Sequence, residues 1–581
     1  MAEKSPPIIV EVNDIPIGGG SMTMRTAFGA RLAGVAAAML LALGATPALA
    51  DPSFSVTLPT DAANAPVTGR LIVVVAGTNT AEPRTQIGMN GPPAFGIDVD
   101  ALKPGAVALV DQHAIGYPID INQLPPGEYN IQAVLIRYTQ VKRSDGHVLW
   151  VPITHRRVMA AQMEGNLYSK TITVRLDPKS TTPIALSLTE KIGPLPERVE
   201  TPWIKHVRIP SKVLSDFWGV PMTIGASILL PKGWADHPNA RYAAAYVFGH
   251  GDAPFSFSTD PADDSPADRA SAADANVKTG YQFAQEWQSD NFPRMAAITL
   301  ETPGPYFLES YALNSPNNGP WGDAITKELM PYLEKTFHLI SAPYGRIVEG
   351  ASTGGWEAMA LQLHYPDYFG AAWVFNPDPI DFSRYQLVDI YHDANMFDYR
   401  LNDWRLVDRP FRRSREGQPM LSTRDLSRLE AVMGSHGRSF YQLGIWQATH
   451  SPVGKDGYPV PLFDPLTGVI DHDVANYMRE NGWDLTDYAR RNWATLGPKL
   501  AGKLNMFAGE QDDFYLNLGV YDFQDMVKQV AGPDYPIRFE YGRPKKGHNW
   551  HHKDWAGVVR EMAAHVCAVA PAGAPKADWN C

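Results

Sequence analysis

The chain has 581 residues, 44% hydrophobic and 19% charged, with a formal net charge of −11. That length exceeds one core and suggests two to four domains, and the composition excludes an intrinsically disordered chain. The acidic balance, with no lysine- and arginine-rich tract, argues against nucleic acid or an anionic membrane surface as partner.

Taken in chain order, the first segment reads as a targeting signal. Arg25 and Arg31 lead into an apolar run from Leu32 to Leu43, and Ala48-Leu49-Ala50 has the small-x-small cleavage pattern. Residues 1–50 are therefore expected to be a leader cleaved after Ala50, giving an exported protein, periplasmic or secreted, that begins at Asp51. The apolar run is too short to span a bilayer, so no stable membrane insertion is expected. Residues before Met22 do not resemble a signal n-region, and Met22 or Met24 is an alternative start.

From Asp51 to about Leu188, short alternating segments are divided by Gly, Pro and Asn. Gly69–Val75 and Tyr129–Leu135 are two of them, with turns at Pro125-Pro126-Gly127 and Asp145-Gly146. This predicts an all-β sandwich-like domain over 51–190. After Pro194 and Pro196 the pattern changes to alternating strands and helices, which predicts an α/β domain over 200–581. Strands are expected at Thr223–Leu230, Ala243–Phe248, Arg294–Leu300, Ala372–Phe375, Leu504–Ala508 and Ile537–Tyr541. Helices are expected at Ile325–Phe337, with Leu329, Tyr332 and Leu333 on one face, and at Trp555–Ala568. Asp260–Asp274, rich in Asp, Ala, Ser and Pro, reads as a flexible loop. It lacks the odd-position spacing and central Gly of a calcium loop. Residues from about 379 to 497 read as a long aromatic insertion, expected to act as a cap or lid over a pocket.

The two cysteines, Cys567 and Cys581, are compatible with one disulfide in an exported chain. Neither has a histidine motif beside it, so no catalytic thiol is expected.

The chemistry centres on Arg346–Trp356, which reads as a strand, a glycine-flanked serine and a helix. A serine on a strained strand-to-helix turn needs tiny residues two before and two after it. Gly350 and Gly354 provide them around Ser352. The tripeptide spacing alone is weak, since a surface turn with a capping serine has the same pattern. Chain order strengthens it: Leu504–Ala508 leads into Gly509-Glu510-Gln511-Asp512-Asp513, and Ile537–Tyr541 leads into Gly547-His548-Asn549. Ser, Asp and His thus follow predicted strands in the order used by α/β-hydrolases. A serine hydroxyl needs a base within hydrogen-bond reach, and His548 is preferred over His551 and His552. The orienting acid is expected to be Asp512, with adjacent Asp513 the rival and Glu510 more remote. For the oxyanion, the expected donors are the Thr353 amide and the loop at Gly249-His250-Gly251. The His548–His552 cluster lacks zinc-hydrolase spacing, so no metal is expected.

The elbow Gly350-Ala351-Ser352-Thr353-Gly354-Gly355-Trp356, followed by His364-Tyr365-Pro366-Asp367-Tyr368-Phe369, resembles the putative-esterase group of α/β-hydrolases. That group takes in esterase D-like, feruloyl esterase and enterochelin esterase proteins. Asn317–Asp323 and Glu328–Tyr332 are similar to it as well. The resemblance covers about residues 220–375 and 500–560. It implies serine ester hydrolysis or acyl transfer without a metal or other cofactor. The β-rich N-terminal region and the insertion lie outside that family pattern.

The expectation is an α/β-hydrolase domain with a long cap insertion, preceded by an all-β sandwich-like domain. Its substrate would be a small-molecule or polymer-linked ester. A peptidase or acyltransferase using the same three residues is the first alternative. A non-catalytic binding protein on a hydrolase scaffold is the second. The sequence is silent on oligomeric state.

Overall fold

The structure is a computed structural model and describes residues 52–580, apart from Thr80, Pro178, Lys179, Thr181 and Asp252. The expected leader and its cleavage site therefore lie outside the described residues. Cys567 is disulfide-bonded, and Cys581, its expected partner, also lies outside them.

Eight strands form the principal sheet: β1 Ile204–Ser211, β2 Met222–Leu229, β3 Ala244–Phe248, β4 Ala296–Glu301, β5 Arg346–Ala351, β6 Ala371–Phe375, β7 Leu504–Gly509 and β8 Arg538–Gly542. They lie in the order β1-β2-β4-β3-β5-β6-β7-β8. Strand β2 runs antiparallel to both neighbours, and β4, β3 and β5 to β8 are mutually parallel. This is an α/β-hydrolase sheet. Every residue of β4 and β6 is buried, as expected of strands covered on both faces. The sequence missed β1, whose alternating Lys205, His206, Val207 and Arg208 are only partly buried along the sheet edge.

The N-terminal strands build a seven-stranded sheet, a three-stranded sheet and a hairpin of Thr139–Lys142 with Val148–Val151. Alternation divides the work along Val67–Ala76. Leu71, Val73 and Val75 pack with Phe54, Val56 and Val110 of the smaller sheet. Ile72 and Val74 turn to the opposite face and join the cluster that contains the α/β core. Both faces of this strand are thus buried, which explains its unbroken apolar run.

Residues 379–497 hold two small hairpins and five helices beginning at Thr423, Gln442, His472, Leu485 and Trp493. The N-terminal sheets brace this segment. Arg70 Nε donates to Val432 O at 2.9 Å, Arg428 Nε to Gly116 O at 2.5 Å, and Arg438 Nη1 to Trp150 O at 2.6 Å.

Two sequence expectations are corrected. The segment expected to be a flexible loop contains a helix, Pro266–Ala275. Ser265 accepts from the Asp268 amide and Asp268 reaches back, a capping box, while Pro266 opens the first turn and Asn276 closes the helix in the left-handed region. Helix-forming alanines and these caps outweighed the loop-like composition. In the second case, Ile325–Phe337 begins with a π-helical stretch over Ala324–Leu329 before becoming α-helical at Met330–Thr336. The wider turn shifts the buried face, so Leu329, Met330 and Leu333 are inside while Tyr332 is exposed.

Candidate active site

Ser352 sits between β5 and the helix Thr353–His364 with φ 57° and ψ −122°. A non-glycine residue in the positive-φ region is strained, and the surroundings hold it there. Its amide donates to Phe375 O at 3.0 Å, and its carbonyl accepts from Asp378 N at 3.1 Å and Trp356 N at 3.1 Å. A Cβ at Gly350 would run into the Gly354 backbone, and one at Gly354 into Phe248 O. The glycine spacing read from the sequence thus reflects contact between the turn and β3.

Asp512 is fully buried. Its Oδ1 accepts from the amides of Phe514 at 2.8 Å and Leu516 at 3.2 Å, and its Oδ2 lies 2.7 Å from His548 Nδ1. Asp513 turns the other way, accepting from the His548 amide at 3.2 Å and facing Arg412 Nη2 at 3.7 Å. His551 and His552 are engaged elsewhere, His551 Nδ1 with Asn549 O and His552 Nε2 with Glu561. Burial alone would lower the His548 pKa. The charge and hydrogen bond of Asp512, with the charges of Asp378 and Asp513, outweigh it, so the net shift is upward from 6.5.

Among the described residues no hydrogen bond joins Ser352 Oγ to His548. Ser352 Oγ instead donates to Asp378 Oδ1 at 3.3 Å. Asp378, just past β6, was not anticipated from the sequence. Its Oδ2 receives Tyr311 Oη at 2.5 Å, Gln442 Nε2 at 2.7 Å, Thr353 Oγ1 at 3.0 Å and Trp446 Nε1 at 3.2 Å. Burial pushes this carboxyl above its ordinary value, against the opposing pull of those donors. Two of them, Gln442 and Trp446, come from the insertion.

The Thr353 amide opens its helix and so has no acceptor within it. Facing it across the site is the loop after β3. Gly249 has φ 136°, and a Cβ there would meet nothing within 4 Å. His250 Nδ1 lies 3.1 Å from Glu309 Oε1, and Glu309 raises its pKa against the effect of burial. Arg157, from the N-terminal region, locks the same corner. Its Nε is 3.2 Å from Glu309 Oε1, its Nη1 donates to Gly251 O at 2.6 Å and its Nη2 to Leu300 O at 2.8 Å.

A cavity of about 550 Å³ brings Ser352, His548, Gly249, His250 and Gly251 to one wall. The rest is largely apolar, with Phe248, Phe307 and Phe514 from the α/β part, Met89 and Met159 from the N-terminal region, and Leu426, Phe440 and Tyr441 from the insertion. Among the described residues no lysine or arginine lines it. Among the described residues no group of three histidine, cysteine or acidic side chains is placed to hold a metal ion, and no helix is long and apolar enough to cross a membrane.

Residues 220–419 match the family model described as Putative esterase. The match takes in β2 to β6 and the serine turn and stops short of Asp512 and His548. Among solved structures, a ferulic acid esterase is 15% identical with a TM-score of 0.34, covering 63% of this chain and 97% of its own. An S-formylglutathione hydrolase from Staphylococcus aureus is 13% identical with a TM-score of 0.29, covering 62% and 99%. MPT51 from Mycobacterium tuberculosis is 14% identical with a TM-score of 0.32, covering 64% and 100%. No curated protein matches the chain.

Proposed function

Because the chain is an esterase-type hydrolase of the putative-esterase group, we propose that it cleaves carboxylic esters through Ser352, His548 and Asp512 by way of an acyl-enzyme. The observation that carries this reading is the pairing, on one cavity wall, of a strained serine with a histidine held 2.7 Å from a buried carboxylate. In this mechanism Ser352 Oγ turns from Asp378 toward His548 Nε2. As Oγ attacks the ester carbonyl carbon, its proton passes to His548 and the carbonyl electron pair moves onto oxygen. Asp512 fixes the Nδ1–H tautomer and stabilises the imidazolium. The Thr353 amide and the Gly249–Gly251 loop receive the oxyanion. His548 then protonates the departing alkoxide, and water repeats the sequence to release the acid.

We further propose that residues 51–190 are a β-sandwich-like domain, supported by the shared apolar cluster between their seven- and three-stranded sheets, and that residues 379–497 are a cap, supported by the cavity wall they supply. Export, with the leader removed after Ala50, is proposed separately, on the apolar run behind Arg25 and Arg31 and the small-x-small pattern Ala48-Leu49-Ala50. The apolar lining and the lack of a cavity cation favour a neutral ester with a bulky apolar acyl or alcohol group. Labelling by a fluorophosphonate probe, followed by assay on a panel of acyl esters, aryl esters and peptides, tests the proposal. Labelling at Ser352 with ester turnover supports it; an unlabelled serine sinks it.

A further inference from the structure

Three buried polar groups that line the cavity have no partner among the described residues. Thr299 on β4 is 3% exposed, Glu349 on β5 is 1% exposed and His551 is 6% exposed. Thr299 Oγ1, Glu349 Oε2 and His551 Nε2 make no hydrogen bond, and all three residues border the same cavity as Ser352. They share a face of the sheet. Val247 of β3 is in register with Thr299 on one side and Glu349 on the other, and Val247 also lines the cavity. His551 packs against Phe375 with the rings tilted and their centroids 4.6 Å apart, and Phe375 is in register with Ala351, two residues beyond Glu349 on the same face.

An unpaired buried polar group costs roughly 1–3 kcal/mol, and more when it can ionise. Three on one cavity wall are therefore an arrangement that something should complete. With no counter-charge, burial pushes the Glu349 carboxyl up to about 8, which keeps it a neutral donor near pH 7. Burial pushes His551 down to about 3. With Nδ1–H directed at Asn549 O, His551 Nε2 presents a lone pair. The set thus offers a carboxylic acid proton, a hydroxyl and an imidazole acceptor. A hydroxyl, which both donates and accepts, matches it. A carboxylate finds no cation there, and an ammonium would have to ionise Glu349 in a desolvated site.

We propose that Thr299, Glu349 and His551 form a subsite for a neutral hydroxyl-bearing group on one side of the ester. This rests on the reading of Ser352 as the acylated nucleophile only in naming the ligand an ester; the recognition itself does not require turnover. The test is therefore binding, measured calorimetrically at pH 7 on the full-length protein. The probes are two neutral, ester-free pairs, 3-(4-hydroxyphenyl)propionamide against 3-phenylpropionamide and 6-hydroxyhexanamide against hexanamide. The hydroxylated member of at least one pair should bind about tenfold or more tightly. Glu349→Leu and Thr299→Val, which replace unpaired polar groups with apolar ones of similar size, should abolish that preference without lowering Tm. Equal binding within both pairs overturns the subsite, and so does a preference that survives in both variants. Tighter binding of 3-(4-aminomethylphenyl)propionamide than of the phenol also overturns it, because Glu349 would then act as an anion. Fluorophosphonate labelling of the same sample reports on Ser352 separately, so loss of the esterase reading and loss of the subsite give different results.

Discussion

Ser352 Oγ is hydrogen-bonded to Asp378 Oδ1 at 3.3 Å, while His548, which lines the same cavity, is paired with the buried Asp512 behind it. Ser352 is thus held by a second buried carboxyl, which also gathers Tyr311, Thr353, Gln442 and Trp446. Asp378→Ala removes the common acceptor and strands several buried donors. It should cost about 1–3 kcal/mol of stability for each donor left unpaired, read as a clear fall in the denaturation midpoint. An unchanged midpoint would mean that this network is not a stabilising one.

The pH profile follows from His548. It must be neutral to accept the serine proton, so kcat/KM should rise with pH along a limb whose apparent pKa lies above 6.5. Asp512 and Asp378 both contribute to raising it. Asp512→Asn and Asp378→Asn should each move the limb to lower pH, Asp512→Asn by more. A limb that stays in place in both variants would show that another group controls the profile.

Triad variants separate the two adjacent carboxylates. Ser352→Ala and His548→Ala should each cost on the order of 10⁶ in kcat, about as much as both together, because such residues act as a unit. Asp512→Asn should cost less. Asp513→Asn should be mild, since the Asp513 carboxylate meets the His548 amide and Arg412 rather than the His548 ring. These are compared on one ester substrate, with circular dichroism as the folding control. A crippled Asp513→Asn would transfer the acid role to that residue.

Arg157 ties the N-terminal region to the Gly249–Gly251 loop, the proposed oxyanion loop. Arg157→Ala removes one of the two cationic partners that buried Glu309 has among the described residues, the other being His250, and frees the Gly251 carbonyl. Breaking a buried pair in this way costs about 3–5 kcal/mol. The expected outcome is a lowered Tm together with a fall in kcat/KM of at least tenfold. A normal kcat/KM would confine Arg157 to a purely structural part.

The turn itself leaves no room for a methyl group. Gly354→Ala drives a Cβ into Phe248 O on the neighbouring strand, where backbone cannot move aside cheaply. It should abolish soluble expression or cost several kcal/mol, beyond the roughly 1–3 kcal/mol of ordinary overpacking. Wild-type activity and Tm in this variant would contradict this close packing of the turn on β3.

Local chemistry alone made much of this protein legible. Gly350 and Gly354 mark the turn because a two-residue steric rule leaves a sequence trace. The strands β2 to β8 could be read because apolar runs bounded by glycine and proline are local patterns. The ends of β7 and β8 placed Asp512 and His548 for the same reason. Other features depended on distant parts of the chain. Asp378 carries no motif, and its tie to Ser352 arises only because β6 lies beside β5. The Arg157–Glu309–His250 corner joins residues separated by up to 152 positions along the chain. Thr299 and Glu349, without partners among the described residues, look like ordinary strand residues until the sheet register puts them on one cavity wall. Steric and turn rules act between near neighbours and are written in sequence, whereas burial and pairing are set by which strands become adjacent, and that is decided only when the whole sheet forms.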